Sequence, residues 1–305
     1  MKLEEISHRD FRWINIKEPD QEMVDFLKKN FHFHPLDLED IVSKVQYPKV
    51  DAYQDYLYVM LQFPSYEEAA RIYKRSELNV FYGKNYLITI NSRPLAPLQS
   101  FFKNCQTDPL TREKYMGRGP GHLLYEIVDS LMDYVFPIIN EKNETIFELE
   151  EEIFETSEYN DMIEEIMVLK RNLINIRRIL VPQRSVLVDL GNKYKALIGD
   201  ELRIYFDDLV DKKDKIINQL DTARAYVDVL EQANEALLTR STNKVIKTLT
   251  VFSVIVLPAN LLINYYGMNV VTPAQNSPHI LFYLNTIFLA SFVILFWFFA
   301  KKRWL

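Results

Sequence analysis

The spacing of apolar residues changes character along the chain. Arg12–Ile16, Tyr56–Phe63, Leu78–Tyr82 and Tyr86–Asn91 are short runs rich in aromatic and β-branched residues, which predicts strands. Helical patterns flank them at Asp20–Asn30, from Pro35 with proline near the first turn, and at Pro97–Asn104. Residues 1–120 therefore predict a small α/β domain. Beyond residue 121 the pattern is helical, with His122–Glu155 and Asn160–Gly191 predicting two long helices. From Asp200 to Leu257 there is neither glycine nor proline. One helix of about 100 Å, at 1.5 Å per residue, is the simplest reading. Residues 121–247 thus predict a helical bundle and a stalk helix.

The last segment, residues 248–305, has a different solvent. From Thr248 to Ala300 there is no Asp, Glu, Lys or Arg. The apolar runs Leu249–Tyr266 and Ile280–Ala300 are each long enough to cross a hydrocarbon core of about 30 Å. A buried soluble hairpin is the alternative; two such runs favour two transmembrane helices. Lys244 and Lys247 precede the first, and Lys301, Lys302 and Arg303 follow the second. The connecting loop, Val270–His279, carries no formal charge, so the positive-inside rule puts both termini in the cytoplasm. The N-terminal MKLEEISHRD lacks an apolar core, which predicts no secretory signal. The expected location is the cell (inner) membrane, crossed more than once.

Charge and cysteine content sharpen this picture. Without Lys301, Lys302 and Arg303 the 36 basic residues fall to 33, against 42 acidic ones, a net −9 for the cytoplasmic part. Such a surface suits cations and not nucleic acid. The single Cys105 cannot form an intrachain disulfide and suits a reducing compartment. MGRGPG, Met116–Gly121, concentrates three of the seven glycines. No Lys-Ser/Thr follows and no apolar strand leads in, so it reads as a domain hinge and not as a phosphate loop. With no Walker loop, no nucleotide is expected as a partner. The acidic ELEEEIFE and the basic KRNLINIRR could pair adjacent antiparallel helices, although solvated faces would explain both.

The first apolar run carries an ordered set of polar residues. Asn243, Ile246, Thr250, Ser253, Leu257, Asn260 and Asn264 follow at steps of three and four, within a stripe of ~100°. Polar side chains are costly against lipid and should face helices or water. Helix–helix hydrogen bonding would explain such residues singly. The stripe is a full-length seam, however, and two spans cannot enclose a path, so the seam should face copies of itself in a symmetric ring. A polar-lined pore with apolar collars at Ile246 and Leu257, with Leu249 at the stripe edge, follows. Thr248 falls off the stripe and is expected to satisfy the backbone.

The first run ends in YGMN, Tyr266–Asn269, and the chain finishes KKRWL. Together with WINI (Trp13–Ile16), HPLDLEDI (His34–Ile41), PKVDAYQDYLYVML (Pro48–Leu61) and YFDDLVD (Tyr205–Asp211), this resembles the CorA family of magnesium transporters over almost the whole chain. The resemblance implies a funnel-shaped homopentamer in the lipid bilayer. It implies passive, channel-like uptake of Mg²⁺, with Co²⁺ or Ni²⁺ as further cargo. Separately, the sequence has no Ser/His/Asp, CxxC or HExxH pattern, so no enzyme activity is expected. Gly267, Met268 and Asn269 would form the entrance filter. A ring of neutral oxygens from Asn269 could test a hydrated ion without stripping it. Gly267 allows the sharp turn, and Met268 is packing, because Mg²⁺ prefers hard oxygen. Tyr266 fits an interfacial anchor.

The same resemblance places regulatory Mg²⁺ between neighbouring subunits at Asp40 and Asp208, with Glu39 and Asp211 as outer helpers. One departure is the acid-free loop VVTPAQNSPH, where family members commonly carry a carboxylate. Mg²⁺ is therefore expected as both cargo and regulator, with two alternatives. One is a zinc-transporting relative of the same architecture; the other is a non-conducting membrane-anchored sensor or scaffold.

Overall fold

The computed structural model describes residues 2–17, 19–43, 47–155, 162–194, 199–268 and 278–302. One compact unit comprises Met1–Thr156 with Asp161–Glu231, and a second includes Gln232–Leu305. The first is built on a six-stranded sheet of order β1-β2-β6-β5-β4-β3. Its strands are β1 (Lys2–His8), β2 (Phe11–Lys17), β3 (Lys49–Ala52), β4 (Tyr56–Glu67), β5 (Ile72–Gly83) and β6 (Tyr86–Asn91). The β2–β6 pair is parallel and the others antiparallel. The four central strands are those that the sequence pattern predicts. β1 and β3, the two edges, have sequences KLEEISH and KVDA, too polar to show a strand signal. Polar edges are what keeps a sheet from pairing with other chains.

Helices α1 (Gln21–Asn30) and α2 (Pro35–Val42) share a core cluster with Ile14, Ile16, Tyr58, Met60, Phe81 and Ile88 of the sheet. Asp20 caps α1 by accepting from Met23 N–H at 2.8 Å. Helix α3 (Ala96–Thr107) sets Phe102 edge-on against Trp13, ring centroids 4.7 Å apart. The indole N–H of Trp13 donates to Thr89 Oγ1 at 3.0 Å, so this buried ring keeps its polar atom satisfied. A short α4 (Pro109–Met116), capped by Asp108, was not anticipated from the sequence. Gly119 then takes φ +94°, a conformation open to glycine, before α5 starts at Pro120.

Both long helices anticipated after this point are interrupted at prolines. The first is α5 (Pro120–Asp133) and α6 (Val135–Glu155), split at Tyr134. Pro137 has no N–H for the Asp133 carbonyl and its ring crowds that oxygen. The second is α7 (Ile163–Leu180) and α8 (Arg184–Asn192), joined by a tighter turn through Pro182. Helix α9 (Arg203–Gly267) is unbroken for 65 residues, continuing through Pro258.

Two basic residues of α7, Lys170 and Arg177, find their partners on α9 and not on the acidic end of α6. Lys170 meets Asp228 at 2.8 Å and Glu231 at 2.6 Å, and Arg177 meets Asp221 at 2.5 Å. Two buried amides, one in the middle of α7 and one just past its end, bind strand backbone instead. Asn172 accepts from Tyr73 N–H at 3.0 Å and donates to Arg71 C=O at 3.0 Å. Gln183 accepts from Gln62 N–H at 3.1 Å and donates back to the Gln62 carbonyl. Backbone groups that no neighbouring strand reaches are thereby paired.

In the second unit, α9 carries an uncharged apolar stretch long enough to cross a bilayer, of which little is buried within this chain. α10 (Pro278–Lys301) is 24 residues long and uncharged until Lys301. A core helix of a soluble protein would be mostly buried. Here, among the described residues after Thr248, only Val251 and Phe299 are.

Candidate functional site

The stripe residues lie on one side of the C-terminal part of α9. Val251 is buried, Ile255 and Ala259 are half-buried, and they step by fours. At 100° per residue their mean direction is ~170° from that of Ser253, Leu257 and Asn260. The polar seam therefore points away from the side that this chain covers. Asn243, Ile246, Leu249, Thr250, Ser253, Leu257, Asn260 and Asn264 are all exposed, as are Gly267 and Met268. Exposure alone does not single the seam out, since Phe252, Leu261 and Ile263 are exposed too. What distinguishes it is its polar composition on the side opposite Val251.

Two threonines turn their hydroxyls inward. Thr248 donates to the Lys244 carbonyl at 3.0 Å, and Thr250 donates to the Ile246 carbonyl at 2.7 Å. With its hydrogen so used, Thr250 Oγ1 presents lone pairs outward and acts as an acceptor. Asn269 lies outside the described residues, as do Val270–Ser277, Arg303 and the side chain of Tyr266.

The four acidic residues sit on two elements of the first unit. Asp40 is half-buried on α2 and bonded to Lys49 Nζ at 2.6 Å. Lys49 also meets Asp51 at 2.7 Å. Glu39 is exposed beside it and its carbonyl accepts from Ser43 N–H and Oγ. Asp208 and Asp211 are exposed on α9. Asp208 makes no hydrogen bond or ion pair among the described residues. Its carboxylate helps push the Tyr125 hydroxyl up to about 12, after burial and Asp129. Asp211 lines a groove of about 720 Å³ with Asn143 and Ile146 of α6 and Asn218 and Tyr226 of α9.

One chain does not bring Asp40 to Asp208. Among the described residues, no three His, Cys, Asp or Glu side chains are grouped to hold a metal. The sequence pattern passed over Lys49, which sets the charge at Asp40, because nothing local marks a β3 residue as the partner of α2. It also passed over Asp37, buried at 1% exposure. Asp37 accepts from Tyr56 Oη at 2.7 Å and Tyr53 Oη at 3.0 Å. Burial pushes its carboxyl above the usual range, against the pull of those two hydroxyls. Tyr56 Oη accepts from His34 N–H at 2.7 Å, and His34 Nδ1 accepts from Leu36 N–H at 3.3 Å. This network clamps the start of α2 and thereby fixes the helix that carries Asp40.

An α/β domain, a 65-residue helix with a polar seam and a bare carboxylate on the same helix together describe a membrane metal-ion transporter scaffold. The CorA-like Mg²⁺ transporter protein family matches residues 8–303, and the chain belongs to it. The cobalt/magnesium transport protein CorA of Thermotoga maritima is 28% identical over 305 residues, covering 96% of this chain and 83% of that one. The zinc transport protein ZntB of Yersinia pseudotuberculosis is 21% identical over 300 residues, covering 96% and 88%. In fold, the CorA magnesium transporter of Methanocaldococcus jannaschii is similar with a TM-score of 0.83 at 24% identity, over 100% of this chain and 95% of that one.

Proposed function

We propose that the chain is a divalent-metal transporter that passes hydrated Mg²⁺ into the cytoplasm through a ring of α9 helices. The observation that carries this reading is the seam from Asn243 to Asn264, polar and exposed on the side of α9 opposite Val251. Copies of a helix with such a seam satisfy it by facing one another around water. Five copies are the family's number. α9 and α10 are the two spans, with both termini in the cytoplasm. Mg²⁺ sheds water reluctantly, so a ring of neutral oxygens suits it better than a tight carboxylate cage. Asn269 supplies that ring at the entrance, while Leu257, Ile246 and Leu249 form apolar collars that close by dewetting.

Regulation in this reading uses Asp40 of one subunit and Asp208 of its neighbour. Asp208 is exposed and has no ion pair among the described residues, so a divalent cation between the two acids would relieve their repulsion. Ion binding then stabilises the closed ring by its differential affinity for it. Glu39 and Asp211 would hold the ion's water.

Zinc is the second reading, favoured by the similarity to the Yersinia protein. The donor set opposes it. Between Thr248 and Ala300 there is no Cys, Asp or Glu, and His279 is the single histidine. Flux into liposomes loaded with a metal-sensitive dye, with Mg²⁺, Co²⁺, Ni²⁺ and Zn²⁺ in parallel, tests both. Zn²⁺ entry without Mg²⁺ entry would reverse the order of the two readings. No entry of any ion would leave a sensor or scaffold.

A further inference from the structure

Within the first unit, a groove of about 840 Å³ lies where β5 before Leu78 meets the second half of α7. Its size is within the ~300–1,000 Å³ of small-molecule sites. Lys74, Arg75, Arg93 and Arg178 line it, with Glu77 as the acid among them. Lys74 and Arg93 share a single partner, Glu67. Arg178 donates to Asn175 Oδ1 at 2.9 Å and meets no carboxylate among the described residues.

Glu77 is the unusual member. It is only 6% exposed, yet no described donor hydrogen-bonds its carboxylate. Arg75 Nε lies 4.0 Å from Oε1, too far for a hydrogen bond. The residue's backbone is fully used, its N–H donating to Ser92 Oγ at 2.9 Å and its carbonyl accepting from Ser92 N–H at 3.0 Å. Burial pushes its carboxyl up against the pull of Arg75. A largely buried carboxyl on the groove wall that no described donor bonds keeps its acceptor oxygens for a ligand.

We propose that this groove binds a guanine nucleotide, with the base against Glu77 and the phosphates against Arg75, Arg93 and Arg178. A carboxylate accepts two parallel N–H bonds side by side. Guanine offers that pair in its ring N1–H and exocyclic amino group, whereas adenine offers only an amino group. Guanidinium forks match phosphate oxygens in the same bidentate way. The expectation of no nucleotide partner rested on the missing Walker loop. Here side-chain cations stand in for that loop, and no hydroxyl on a glycine loop is placed to hold a catalytic metal. The nucleotide is a bound effector, and no bond is made or broken.

The test is calorimetric titration of the full-length protein in nanodiscs with GDP, ADP and pyrophosphate. GDP should bind at least about tenfold tighter than either of the others. Glu77→Gln should bring GDP to within about twofold of ADP while leaving pyrophosphate unchanged. Arg178→Ala, at an exposed position that leaves the core intact, should weaken all three about tenfold. Absence of GDP binding, equal binding of ADP or pyrophosphate, or a guanine preference that survives Glu77→Gln would each overturn the proposal. Should Glu77→Gln fail to fold, an unchanged GDP affinity in Arg178→Ala overturns it equally.

Discussion

Lys49 Nζ lies 2.6 Å from Asp40 and 2.7 Å from Asp51, so the carboxylate proposed to sense Mg²⁺ already holds a cation. Burial pulls the Lys49 ammonium down, but its hydrogen bonds to Asp40 and Asp51 outweigh this and push it up. It is therefore charged at every physiological pH, and an arriving Mg²⁺ must share Asp40 with it. Lys49→Met should shift closure to a severalfold lower internal Mg²⁺ concentration. Asp208→Ala, or Asp40→Ala with it, should leave conduction intact and weaken inhibition. Both are read as flux across a titration of internal Mg²⁺. A double mutant that shuts at the wild-type concentration would place the sensor elsewhere.

The entrance is tested by one side chain. Asn269→Ala removes the amide oxygen without touching the core, so flux should fall strongly while the oligomer still assembles. Wild-type uptake by this variant in dye-loaded liposomes would end the filter assignment.

At the collar, chemistry and size can be separated. Leu257→Asn keeps the branched outline and the number of side-chain heavy atoms but lets water stay, so basal flux should rise. Leu257→Met, which stays apolar, should leave it near wild type. If the two variants behave alike, the pore does not gate by dewetting at this level.

The buried amides and the surface ion pairs should differ in their effect on stability. Asn172→Ala strands the buried N–H of Tyr73 and removes the amide donor from the Arg71 carbonyl, a loss of about 1–3 kcal/mol. Gln183→Ala should act similarly on Gln62. Arg177→Ala breaks an exposed pair with Asp221 and should barely move the melting temperature. Thermal unfolding of the three variants in one detergent ranks them. A larger loss for Arg177→Ala than for Asn172→Ala would contradict this account.

His122 should impose a pH dependence of known sign. It is 4% exposed, and burial and the Arg118 guanidinium hold its imidazole below its ordinary value of 6.5. Folding then favours the neutral ring, so its contribution is full above about 6.5 and declines as pH falls toward the folded-state value. The melting temperature of wild type relative to His122→Gln should drop between about pH 7 and pH 5. A difference that stays flat or grows on acidification would mean that Glu126, 3.1 Å away, holds the ring charged.

Much of this protein is legible in its sequence because the governing signals are local. Period-two and period-3.6 patterns depend only on neighbours, so the central strands, α1, α2 and the long α9 can be read directly. The polar seam is of this kind, since the residues from Asn243 to Asn264 share one face by virtue of helical geometry alone. The family resemblance rests on contiguous words such as HPLDLEDI and YFDDLVD. Prolines 137 and 182 were also in plain view, and the helix breaks at Tyr134 and after Leu180 follow from them.

Other features depend on residues distant in the chain, and only the folded molecule decides them. Edge strands β1 and β3 exist because β2 and β4 lend them partners, a pairing energy that no short polar sequence displays. Lys170 and Arg177 chose α9 over the acidic end of α6, although charge alone permitted either. Lys49 of β3 pairs with Asp40 of α2, and Glu77 is buried, with no described donor on its carboxylate, where β5 meets α7. In each case the sequence supplies the group, while burial and proximity, which are properties of the packed chain, decide what that group can do.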